Sequence, residues 1–153
     1  MIDRRINIPK AHAELIESLL DDKESDSNGP FPTKASVLAF AAALGASRGD
    51  PVPFSETSGD PIRKSVFAKA GFESLIELLA VANTGDPNVL SNSDDMEEKR
   101  ASIFEGYANA GLAEIQDNLL AGGNIIDEIL QVLQRERVGI DDGQSDLDIS
   151  SLL

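Results

Sequence analysis

The sequence predicts a mainly α protein: about six helices in one domain, preceded by a short N-terminal strand. Three observations predict it. Apolar residues recur at intervals of three and four through most of the chain. Clusters of Pro, Gly, Ser and Asp separate these stretches at the spacing expected of helix connections. Strict alternation of polar and apolar residues occurs in one short run, "RRINI" at 4–8, where Ile6 and Ile8 would share one face and Arg5 and Asn7 the other.

Pro9 ends that run and suits the first turn of a helix. "KAHAELIESLLDD" reads as the first helix, with Leu15, Ile16, Leu19 and Leu20 on one stripe and His12 one turn earlier. "DDKESDSNGPFP" is a loop by composition. The second helix starts at about Thr33, which can cap it. "KASVLAFAAALGAS" holds strong helix formers and is apolar nearly all round, which predicts burial, with Gly45 as its stop. "RGDPVPFSETSGDPI" reads as a long loop, and its Arg-Gly-Asp as a chance tripeptide.

The third helix is expected from Ser65 to Asn83, ended by Gly85 and Pro87. Asp94 and Glu97 have the spacing of a capping box for a fourth, about 95–108, with Ile103, Phe104 and Tyr107 on its apolar face. At Gly111 the sequence allows either a break or a continuation into a helix bearing Leu112, Ile115, Leu119 and Leu120. "AGG" interrupts it. Asn124 then caps a last helix, "IIDEILQVLQRER", with Ile125, Ile126, Ile129, Leu130 and Leu133 in one stripe. Residues 1–137 are thus expected to form one helical domain, in which 1–47 is a strand–helix–helix module and 62–137 the helical remainder. Residues 138–153, with no Lys or Arg, read as a flexible acidic tail.

Composition narrows the chemistry. The 153 residues contain no Cys or Trp and a single His, so thiolate metal sites are excluded and a zinc site lacks ligands. His12 on an apolar stripe suits a core or interface role better than a catalytic one. "DDGQSDLD" lacks the spacing of a calcium loop, and neither phosphate-binding glycine motif occurs. Pairs such as Glu97-Glu98 read as helix surface. The expectation is a non-enzyme with no cofactor, no metal and no catalytic residue. No apolar stretch is long enough for a membrane span, and the N-terminus lacks the apolar centre of a signal peptide, so a cytoplasmic protein is expected.

Charge points to partners. The net charge is −14, shared unevenly: 6 basic and 8 acidic residues in 1–50, 5 and 9 in 51–100, 2 and 10 in 101–153. Such a chain is repelled by nucleic acid on average, so DNA contact would have to come from the N-terminal part. The acidic C-terminal half would dock on a basic partner surface through Asp127, Glu128, Asp141, Asp142, Asp146 and Asp148, each of which reads equally as solvated surface.

Two resemblances extend this. The order strand, helix, loop, buried helix over residues 4–46 resembles a ribbon-helix-helix module, although its inter-helix loop is long. That resemblance implies a homodimer whose paired strands enter the DNA major groove. Arg5, Asn7 and Asp3 would lie on the groove face beside Arg4, with Thr33, Lys34 and Ser36 near a phosphate at the second helix's N-terminus. Otherwise "RRINI" packs on its own domain with its arginines paired to surplus carboxylates.

The second covers residues 6–135. The Phe31-to-Gly45 lead into an Ala-Ala-Ala-Leu-Gly helix, the turn Thr84-Gly85-Asp86 and the segment Tyr107-Ala108-Asn109-Ala110-Gly111 resemble the small dnd-system-associated proteins, encoded beside bacterial DNA phosphorothioation genes. That resemblance implies an accessory role in phosphorothioation-linked modification or restriction, with proteins of that complex as partners. It supplies no catalytic residue, and both short motifs also read as helix caps and turns. An acidic mimic of DNA is a third reading.

Overall fold

Alternating apolar stripes and helix breakers produce a helical protein, as the sequence predicts. The computed structural model describes residues 4–22, 27–122 and 127. Contacts divide the chain into two units, 1–117 and 118–153, and the first holds most of the described residues. Its α-helices are α1 (Ala13–Leu19), α2 (Lys34–Arg48), α3 (Lys64–Lys69), α4 (Glu73–Thr84) and α5 (Asp94–Leu120), the last running on into the second unit. Single 3-10 turns at Lys10–His12 and Pro87–Leu90 precede α1 and α5. In the second unit Gly122 has a positive φ and Asp127 is helical and exposed. The expected last helix and the acidic tail lie outside the described residues.

Several boundaries differ from expectation for identifiable reasons. The expected third helix is two. Gly71, at φ +85°, closes α3, and Phe72 starts α4 after donating its N–H to Phe67. The expected fourth helix and its successor are one, because α5 passes through Gly111 without a break. Ser93, rather than Asp94, stands before the first residue of α5: its Oγ accepts from Met96 N–H and its carbonyl from Glu97 N–H. Helix α2 does not stop at Gly45 but runs to Arg48. Thr33 does cap it, in a reciprocal box with Ser36. Gly85, at φ +65°, ends α4 as expected.

The alternating N-terminal run does not become a strand. Ile6 and Ile8 are buried, but the chain beside them is 56–62, whose Pro61 has no N–H to donate, and the pairing is limited to isolated bridges at Ile6–Ile62 and Pro9–Thr57. The described ladder is a two-residue antiparallel pair, β1 (Asp21–Asp22) with β2 (Ser27–Asn28), inside the expected loop.

The core lies between α2 and α5. Helix α2 buries Ala35, Val37, Leu38, Ala39, Ala41, Ala42 and Leu44, so its near-continuous apolar surface is matched by burial on most sides. Helix α5 buries every residue from Ile103 to Ala108. Phe67 of α3 meets Phe104 edge-on, with ring centroids 5.4 Å apart. Small residues let the two central helices touch backbone to backbone. A Cβ on Gly111 would fall 1.8 Å from the Ala41 carbonyl oxygen, and one on Gly45 2.2 Å from that of Tyr107. Neither obstacle is a side chain that can swing away.

Gly111→Ala and Gly45→Ala are therefore each expected to destabilise the fold by about 2 kcal/mol or more through overpacking. Gly59→Ala, whose Cβ would meet nothing within 4 Å, should stay close to wild type. Urea unfolding followed by circular dichroism measures all three. Equal midpoints for Gly111→Ala and Gly59→Ala would contradict the close crossing.

Candidate functional site

The N-terminal run, singled out by its arginines, is held on both of its backbone edges within its own chain. On one edge runs residues 56–62, a strap. Ile6 N–H donates to Ile62 O and Ile62 N–H to Ile6 O, both at 2.8 Å; Ser58 N–H reaches Ile8 O at 2.9 Å and Lys10 N–H reaches Glu56 O at 3.1 Å. On the other edge Asn7 N–H donates to Glu105 Oε2. A ribbon formed with a second copy would need one of these edges.

Glu105 is the one buried charged residue among the described residues. A buried carboxylate is tolerated when charge and lone pairs are answered. Arg4 does both with a two-pronged contact: Nη1 to Oε2 and Nη2 to Oε1, each at 2.9 Å. The same guanidinium reaches Glu98 through Nε and Nη2, and the Arg5 carbonyl through Nη1. Ser102 Oγ donates to Glu98 Oε1 at 3.1 Å. The Glu105 hydrogen bond, opposed in part by burial, raises Arg4 further above its ordinary value, so it stays charged. The Arg4 hydrogen bond lowers Glu98 below its ordinary 4.5, against a weaker opposing effect of burial.

The other expected DNA-facing residues are placed as follows. Arg5 is exposed and Asn7 half-buried. Thr33 and Ser36 hydrogen-bond each other at the start of α2. Lys34 Nζ lies 3.1 Å from Glu17 Oε1 of α1. Arg4 is thus brought to two carboxylates, while Thr33 and Ser36 are engaged in their own cap. Of the acidic residues expected to contact a partner, Asp127 is exposed; Glu128, Asp141, Asp142, Asp146 and Asp148 lie outside the described residues, as does Asp3. His12 Nδ1 lies 3.2 Å from Gln116 Oε1.

Both short motifs have structural work. Thr84 Oγ1 donates to Ala80 O and accepts from Asp86 N–H, and Asp86 Oδ1 accepts from Asn88 N–H to begin the Pro87–Leu90 turn. Tyr107 OH accepts from Asn83 Nδ2 at 3.3 Å, so the second motif is tied to the residue just before the first. Asn109 Nδ2 donates to Val52 O, and Val52 N–H to Gly106 O, fastening the 49–63 loop onto α5. Arg100 Nη1 donates to the carbonyls of Val89 and Ser91, and Lys64 pairs with Glu97.

Beside the N-terminal run 4–8 (the arm), between strap and α1, lies an open cavity of about 340 Å³. Ile8, Ala13 and Ile16 supply its apolar surface, and Glu14, Asp60 and the Lys34–Glu17 pair its polar surface. Sequence reading missed both this cavity and Glu105. For Glu105 a signal existed: "ASIFEGYANAG" sets one carboxylate in an otherwise apolar and small-residue stretch.

The family described as DNA sulphur modification system-associated protein 4 matches residues 5–152. The chain belongs to this family. No curated protein and no solved structure gave a match. The family match spans the arm, the strap, the α2–α5 crossing and both motifs, and it agrees with the resemblance seen in the sequence. No helix among the described residues is long and apolar enough to cross a membrane.

Arg4→Ala leaves a carboxylate buried without its cation and is expected to cost about 3 kcal/mol or more. Glu98 is far more exposed, at 59% against 9% for the Glu105 side chain, so Glu98→Gln should cost under about 1 kcal/mol. Because Glu98 is lowered in the fold, its contribution is present above its ordinary value and fades as pH falls through the lowered one. The gap between wild type and Glu98→Gln should therefore close between pH 7 and roughly pH 3. Urea denaturation at several pH values measures it; a gap widening toward acid would contradict the pairing.

Proposed function

We propose that this protein is a non-enzymatic accessory component of a DNA phosphorothioation-linked modification or restriction system, acting through contacts with the proteins of that system. The family match over residues 5–152 carries this reading. Charge supports protein rather than DNA as the partner. A surface with net charge −14 is repelled by phosphates and attracted to basic protein surfaces. Arg4, the residue best suited to read a base, is spent on Glu98 and Glu105. The proposed docking surface is the acidic C-terminal part, with Asp127, Glu128, Asp141, Asp142, Asp146 and Asp148 contributing.

The test is co-expression of the tagged full chain with the other proteins of its phosphorothioation system, followed by nuclease treatment and size-exclusion chromatography. Stoichiometric co-elution that survives nuclease is expected, and replacing those six acids by Asn or Gln should weaken it at least tenfold. In parallel, labelled duplex DNA, with and without phosphorothioate linkages, is titrated by anisotropy. No saturable binding is expected at physiological salt. Saturable binding lost in Arg5→Ala would replace this reading with a DNA-binding one. Competition by DNA for the same partner would favour mimicry of DNA.

A further inference from the structure

We infer that the cavity between strap and α1 is a receptor for an arginine side chain presented by a basic peptide segment of a partner protein. This rests on the reading that the protein works through protein contacts, and adds a second, defined contact to it.

Shape and chemistry agree on the class of ligand. The volume, about 340 Å³, lies at the small end of ligand pockets, about 300–1,000 Å³, and suits one long side chain with its adjoining backbone. Ile8, Ala13 and Ile16 line its inner side, the two isoleucines almost fully buried and Ala13 half-buried. Glu14 on α1 and Asp60 on the strap are exposed, and neither has an ion pair or hydrogen bond among the described residues. A ligand matching this surface has an aliphatic stem and a cationic head, which describes Arg and Lys. A planar guanidinium answers carboxylates through several directed hydrogen bonds, which favours Arg.

The chain itself shows how a cation sits here. Lys34, entering from α2, places its ammonium 3.1 Å from Glu17 Oε1 at the same cavity. It answers one carboxylate and leaves Glu14 and Asp60 for a cation from outside. An anionic ligand such as a phosphate would meet these two carboxylates directly. The wall carrying Asp60 is positioned by the Ser58-to-Ile8 and Ile62-to-Ile6 backbone bonds. The receptor is therefore built on the same arm that Arg4 holds to α5.

The test is a titration of the 15N-labelled full chain with acetyl-Leu-Arg-Leu-amide, read by amide chemical shifts. The peptide with citrulline replacing arginine is the neutral control. Saturable shifts are expected at Glu14, Glu17, Ser58, Gly59 and Asp60, with the citrulline peptide at least fivefold weaker. The Glu14→Gln, Asp60→Asn variant should weaken the arginine peptide at least tenfold. The Glu73→Gln, Glu77→Gln variant, with the same change of charge on α4, should stay within twofold of wild type. All four positions are exposed, so both variants should fold, and the remaining amides verify it. Absence of saturable shifts at the cavity would overturn the inference, as would equal weakening in the two variants. Failure here with co-elution intact would remove the cavity and leave the accessory role. Failed co-elution with specific peptide binding would do the reverse.

Discussion

The direct backbone contact between α2 and α5 is the constraint on which the rest of the first unit depends. With Ala41 and Gly45 facing Tyr107 and Gly111, the two helices lie closer than side chains would allow. That contact explains why α5 runs unbroken through Gly111 although glycine costs a helix interior about 1 kcal/mol relative to alanine. A larger residue at 111 would improve propensity and lose the crossing. Once α5 is set against α2, its length fixes what lies along it. From one helix, Arg100 holds the Pro87–Leu90 turn, Glu105 the arm, Tyr107 the end of α4, and Gly106 and Asn109 the 49–63 loop.

Local patterns were legible where local chemistry decides the outcome. Thr33 capping α2, Gly85 ending α4 and the burial of α2 follow from propensity, capping and apolar density, and the sequence shows all three. Where partners distant in sequence decide, it was less informative. Gly111 reads equally as break or continuation until Ala41 is placed against it. Gly45 looks like a stop because glycine ends helices, yet here it serves the crossing. Gly71 falls inside the expected third helix, yet it takes a left-handed conformation that separates α3 from α4. The alternation of Ile6 and Ile8 correctly marked a buried face. The strap beside it, rich in Ser, Gly and Pro, carries no strand signal, and its pairing spans about fifty residues of chain.

The candidate site was legible in part for the same reason. Arg4 stood out as a cation in an acidic protein, and pairing with surplus carboxylates was one of its two readings. Which carboxylates answer it could not be read from residue 4, because Glu98 and Glu105 are about a hundred residues away. They are seven apart, two turns along one face of α5, so one guanidinium can reach both. The cavity has no sequence signature because three separate segments build it.

The distribution of positive charge ties the arm to the functional reading. Arg4, Lys34, Arg48 and Lys64 each pair with a carboxylate of their own chain, and Arg100 is directed at carbonyls. Arg4, Lys34, Lys64 and Arg100 are half-buried, while Arg48 and the carboxylates Glu14, Asp60, Glu73 and Glu77 are exposed. Each of these pairs engages a carboxylate as well as a cation, so the acidic balance that composition sets is kept on folding. A DNA-reading module needs the opposite arrangement, with arginine displayed and carboxylate withdrawn. The fold instead uses its opening arginine to bury a glutamate, anchoring the arm against α5 and holding Ile8 on the inner side of a cavity with acidic residues at its edge.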